Sequence, residues 1–98
     1  MPYVHQTLTT KPAGAKWYPE VEPIKHASYN TWFESHPLIV KLNNRRLTEN
    51  EHLRVVQFAS EEDFNTFCSE RDKRSDYIER QQFLEANGFI VDIQNIKT

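Results

Sequence analysis

The chain has 98 residues, a formal charge of −2 and 38% hydrophobic residues. That is enough for one domain around one core without staples. It excludes a global basic field that would gather nucleic acid. The single cysteine, Cys68, excludes an internal disulfide framework and a Cys-cluster zinc site.

Two glycines, Gly14 and Gly88, are too few for a Walker loop or a dinucleotide fingerprint. No apolar run approaches the ~20 residues of a membrane span. The start, Met1 to Gln6, lacks the basic and apolar blocks of a signal peptide. The expected location is the cytoplasm or a virion, without membrane. Twelve aromatic residues supply the bulk that a modest hydrophobic fraction leaves short.

In chain order, Tyr3–Thr9 alternates, with Val4 and Leu8 on one face and Tyr3, His5 and Thr7 on the other, which predicts a strand. Lys11–Gly14 breaks it. Residues 15–23 hold Trp17, Tyr18, Pro19, Val21 and Pro23 without a period and read as an ordered loop. A helix is expected from about Ile24 to Ser35. Its stripe would be Ile24, Ala27, Ser28, Thr31 and Ser35, with Tyr29, Trp32 and Phe33 beside it. His36-Pro37 ends that helix.

Leu38–Leu42 is a strand that could continue to Leu47. Thr48–Glu51 turns, and Leu53–Phe58 returns as the partner strand. Ser60 is the N-cap of a helical region whose Glu61, Glu62 and Asp63 suit the dipole. Phe64, Phe67 and Cys68 share its inner face. Residues 70–76 carry nothing apolar and predict a break, with Asp76 and Glu79 forming a capping box for a second helix. Tyr77, Ile78, Gln81 and Leu84 give that helix its inner face, and Gly88 its left-handed C-cap. Phe89–Ile93 is the last strand.

This order predicts a single α+β domain over 1–98, a ferredoxin-like plait. Its four-stranded antiparallel sheet would carry helices on one face (β-α-β-β-α-α-β). Leu53 and Val55 oppose Val56 and Phe58, so the strands carry apolar groups on both faces. The second sheet face is therefore expected to be covered, most simply by another copy in a homodimer.

The strand ending Phe58-Ala-Ser-Glu-Glu-Asp-Phe64, with a helix pair and a last strand after it, resembles the dimeric α+β barrel superfamily. That group includes the antibiotic-biosynthesis monooxygenase-like domains, and the resemblance implies a homodimer whose sheets close into a barrel. Its haem-degrading branch uses an Asn, a Trp and a His. Residues 61–87 hold no histidine to match, so no haem residue carries over. Tyr3–Pro12 and Glu79–Gly88 also resemble short tailed-bacteriophage proteins of unassigned role, which implies a virion or accessory role.

No motif marks a catalytic centre. His5, His26, His36 and His52 are dispersed, with no His-Glu-x-x-His. No Gly-x-Ser-x-Gly elbow is present. Cys68 reads as a small buried hydrophobe. The run Arg71, Lys73, Arg74 is neutralised by Glu70, Asp72 and Asp76. Arg54–Phe58 lacks the RNP1 glycine and second aromatic, so nucleic acid is not an expected partner.

The first expectation is a non-catalytic, self-associating interaction module, a bacteriophage structural or accessory protein without cofactor or metal. It would meet phage or host proteins through Trp17, Tyr18, Arg45, Arg46, Val56 and Phe58. One alternative is a small cofactor-independent monooxygenase- or isomerase-like enzyme with a pocket near His5, Trp32 and His52. The other is a regulator that binds a host protein or nucleic acid.

Overall fold

The computed structural model describes residues 2–97. Four strands, β1 (Tyr3–Thr10), β2 (Ile39–Thr48), β3 (Glu51–Phe58) and β4 (Ile90–Lys97), form one antiparallel sheet in the order β2-β3-β1-β4. Four helices, α1 (Tyr18–Val21), α2 (Pro23–Glu34), α3 (Glu61–Arg71) and α4 (Ser75–Ala86), complete the domain. The central strands β1 and β3 are the first of each β-α-β half, so the expected plait is the observed one.

Cross-strand partners point to the same side of a sheet, so register assigns the faces. Tyr3, His5, Thr7 and Thr9 pair with Phe58, Val56, Arg54 and His52 across β3, and with Lys97, Asn95, Ile93 and Val91 across β4. Ile39, Leu42, Asn44 and Arg46 of β2 join the same face. The helices cover this side at one end, where Tyr3, Val56 and Phe58 meet Tyr29, Phe33 and Phe67. At the other end Trp17, Leu84 and Phe89 form a second cluster. Between the clusters the inward residues of β1, β2 and β3 are polar, and those of β4 include Val91 and Ile93.

The opposite face has Val4 and Leu8 on β1, Leu53 and Val55 on β3, and Ile90 and Ile96 on β4. Val56 and Phe58 are 1% and 0% exposed beneath the helices. They lie away from that open face, and their expected role in partner contact is corrected: they are core. Trp17 and Tyr18 are also buried rather than displayed.

Local signals explain most helix ends. Ser60 Oγ accepts the Asp63 N–H at 3.2 Å, as expected of an N-cap. Gly88 has φ +73°, and the Phe89 N–H reaches the Leu84 carbonyl at 3.0 Å in a Schellman-type close. Residues 15–23 contain one helical turn where a loop is expected, tied by the Trp17 N–H donating to Glu20 Oε2 at 3.0 Å.

Two helix faces differ from expectation. Ile24 is 84% exposed, and α2 turns His26, Tyr29, Asn30 and Phe33 inward, an i, i+3, i+4, i+7 stripe. α4 starts at Ser75 with Arg74 as N-cap and no side-chain cap. Asp76 instead takes a two-pronged bond from Arg74, at 3.0 and 2.8 Å, which outweighs a neutral cap. Ile78 faces solvent, while Tyr77, Arg80, Gln81 and Leu84 turn toward the sheet.

A candidate active site between sheet and helices

The polar middle of the helix-covered face opens into a cavity of about 250 Å³. Thr9, Asn44, Arg46, His52 and Arg54 come from the sheet, His26 and Asn30 from α2, and Arg80 and Leu84 from α4. Trp17, Tyr18 and Pro19 close one side. A second cavity of about 100 Å³ lies toward β4, lined by His5, Thr7, Tyr29, Tyr77, Val91 and Ile93 among others. Thr9, His52, Arg54 and Arg80 line both, so they stand where the two spaces meet.

Arg54 is held in place by its neighbours. Its Nε donates to Asn44 Oδ1 at 2.7 Å and its Nη2 to Asn30 Oδ1 at 2.9 Å, while the guanidinium carbon lies 4.3 Å from the Phe33 ring centre. Both hydrogen-bond acceptors are neutral amides, which orient the charge without cancelling it. Arg46 stacks 5.0 Å from the Trp17 ring centre. Arg80 donates to its chain neighbour Gln81 at 3.0 Å. Among the described residues no carboxylate pairs with Arg46, Arg54 or Arg80. Burial lowers the pKa of Arg54 and of Arg80, and the charge of another arginine adds to each effect.

The same forces act on the histidines. His52 is pulled down to about 4, first by burial and then by Arg54, Arg46 and Arg80. His26 is lowered by burial, then by Arg80 and Arg54. Both are therefore neutral imidazoles at pH 7. Two buried atoms, Tyr18 Oη and His26 Nδ1, have no hydrogen-bond partner among the described residues, although both side chains line the larger cavity. Desolvation also raises the Tyr29 phenol to about 12, which keeps it protonated.

Of the expected site residues, His52 lies in both cavities and His5 in the smaller one. His5 Nδ1 is 2.6 Å from Asn95 Oδ1, and its ring stacks on Phe64 at 4.8 Å. Trp32 is elsewhere, packed 5.2 Å from Phe67 and capped by Arg74 at 4.9 Å. Arg46 turns into the cavity rather than toward a partner, whereas Arg45 lies on the open face opposite Leu53. Sequence reasoning missed Arg54, Arg80, His26 and Asn30. The available signal for Arg80 was its place, with Gln81, on the inward stripe between the apolar Tyr77 and Leu84. Cys68 packs against the core, and burial raises its thiol pKa.

No protein-family model matches the chain, and no curated protein matches it in sequence. Solved structures share its fold. SnoaB from Streptomyces nogalater, described as a cofactor-independent oxygenase, superposes with a TM-score of 0.66 at 13% identity, covering 99% of this chain and 92% of that one. Rv0793 from Mycobacterium tuberculosis gives 0.66 at 8% identity over 100% and 95% of the two chains. A structure described as an antibiotic biosynthesis monooxygenase gives 0.65 at 10% identity over 100% and 98%.

The fold is thus the ferredoxin-like fold of the antibiotic-biosynthesis monooxygenase-like proteins, as the resemblance implied. The expectation of a non-catalytic bacteriophage module is corrected. Two of these three neighbours are named oxygenases, and none of the three lends the phage resemblance support. The helix-covered face also holds a polar cavity rather than a closed core. Among the described residues no helix is long and apolar enough to cross a membrane.

Proposed function

We propose that this chain is a small enzyme of the cofactor-independent oxygenase type, with the cavity between sheet and helices as its active site. The observation that carries this reading is one space lined by two neutral histidines and by arginines without counter-ions. The oxygenases that share the fold support it.

Oxygenation without a cofactor requires the substrate to supply the electrons. A base removes an acidic proton, and the resulting carbanion or enolate is electron-rich enough to react with O2. If a methylene becomes a carbonyl, it gives up four electrons. O2 takes up the same four, with one oxygen entering the product and the other leaving as water.

The residues suit the two demands on the protein. His52 is neutral and can accept the proton at Nδ1 or Nε2. Arg54, fixed by Asn30 and Asn44, can stabilise charge that develops on a substrate oxygen. An imidazole held near 4 is a weak base in the empty site. A bound anion offsets the surrounding cations and raises its basicity, so proton abstraction is coupled to substrate binding.

Oxygen uptake tests the reading. Hydroxylated polycyclic aromatics with an acidic methylene should consume O2 with the protein and no added reductant, and His52→Phe should lower the rate by about 10²–10⁴-fold. Uptake that is absent across such a panel, or unchanged in His52→Phe, refutes it.

We further propose that two copies associate through the open sheet face, where Val4, Leu8, Leu53 and Val55 form an apolar band no helix covers. That face lies on the reverse of the sheet from the cavity.

A further inference from the structure

The charge of the cavity narrows its ligand, an inference that rests on the cavity being the binding site. Buried cations in proteins are ordinarily paired. Here Arg54 and Arg80 line both cavities, and their hydrogen-bond acceptors among the described residues are neutral amides, whereas Arg71, which lines only the smaller cavity, is paired with Asp72 at 3.2 Å. Among the described residues, the carboxylate linked to Arg54 is that of Glu34, through Asn30, whose Nδ2 donates to Glu34 Oε1 at 2.9 Å. Among the described residues no acidic side chain lines either cavity. Three cations, Arg46, Arg54 and Arg80, thus face the larger cavity, and no described carboxylate lines it.

The remaining lining is planar and apolar on one side. Trp17 and Tyr18 stand there, with Tyr18 braced by Phe83 at 5.2 Å. An apolar cavity of about 150 Å³ accommodates a benzene. The larger cavity, at about 250 Å³, has room for an aromatic ring system with a substituent. Tyr18 Oη and His26 Nδ1 are buried without hydrogen-bond partners among the described residues, on rings 6.3 Å apart, so a ligand with a second polar oxygen would satisfy them.

We propose that the site takes an aromatic acid, its carboxylate between Arg54 and Arg80 and its ring against Trp17 and Tyr18. Arginine pairs hold a carboxylate by charge-assisted hydrogen bonds with defined geometry, which fixes the ring relative to His52. A hydroxyl or carbonyl on the ring meets Tyr18 and His26.

Calorimetric titration with 2-naphthoate and with its neutral isostere 2-naphthamide tests this. The folded wild type should bind the acid at least about tenfold more tightly than the amide. Arg80→Met should weaken the acid by about tenfold or more and leave the amide unchanged, with Arg80→Gln behaving alike. Arg45→Met, on the other sheet face, removes the same net charge and should leave both affinities unchanged.

Equal affinity for acid and amide, no binding of either probe, or full acid affinity in Arg80→Met overturns the proposal. Binding is read without turnover, so the two readings fail separately. A protein that holds naphthoate through Arg80 yet never consumes O2 refutes the oxygenase alone. One that oxidises neutral aromatics with Arg80→Met unimpaired refutes the aromatic-acid site alone.

Discussion

Arg80→Met should make the empty protein more stable, although most substitutions at inward positions destabilise. Arg80 lies on the inner stripe of α4 with one hydrogen bond among the described residues, to Gln81 at 3.0 Å, and burial is the largest cause of its lowered pKa. Losing a neutral-acceptor bond to a half-exposed Gln81 costs about 0.5–1 kcal/mol. Relieving a desolvated charge without a counter-ion returns about 1–3 kcal/mol. Methionine keeps the unbranched apolar stem, so the packing beside Leu84 survives. The net gain is on the order of 1 kcal/mol, which raises the melting temperature by roughly 4–8 °C in a domain this size.

Differential scanning calorimetry at pH 7 without ligand reads this directly. A saturating aromatic acid should then reverse the order. A ligand at a hundred times its Kd stabilises the wild type by about 2.7 kcal/mol, and Arg80→Met should gain far less. A melting temperature that falls by several degrees in Arg80→Met would refute the reasoning, because Arg80 would then be structurally paired.

Arg54→Met should behave oppositely, losing about 1–3 kcal/mol, since it orphans the Asn30 and Asn44 oxygens and the Phe33 stacking; urea denaturation reads it. Stability of the empty protein should fall as pH drops from 6.5 to about 4, because unfolded His52 binds a proton in that window and folded His52 does not. The full span corresponds to about 3 kcal/mol, reduced to roughly 1–2 because His52 is half-exposed and solvent screens it. In turnover, the acidic limb of kcat/KM should lie near 4, and that of kcat should lie higher because the bound anion raises His52. Light scattering should give a dimer mass, and Leu53→Lys on the open face should yield a monomer that keeps its oxygen uptake.

The elements were legible where one local signal dominated. Ser60 ahead of three acidic residues, and Asn87-Gly88 before Phe89, fix helix ends whatever the tertiary context. The alternation in β1 and β3 gave the two faces correctly. It did not say which face the helices cover, because Leu53 and Val55 are as apolar as Val56 and Phe58. The cavity was hidden for the same reason it is chemically useful. Its lining puts Arg54, Arg80, His26 and Asn30 at inward positions where patterning expects apolar groups. In α2, weighting Ile24 and Ala27 drew the stripe on the solvent side. His26, Tyr29, Asn30 and Phe33 make the true one, and its polar half discounts it in any hydrophobic pattern.

A ligand should bind in the helix-covered cavity rather than on the open sheet face. Amide and side-chain NMR shifts of the labelled protein, followed during titration with 2-naphthoate, address it directly. Shifts should concentrate at Thr9, Trp17, His26, His52, Arg54 and Arg80, with the His52 titration midpoint moving up from about 4. Shifts confined to Val4, Leu8, Leu53 and Val55, or a His52 midpoint unmoved at saturation, would contradict it.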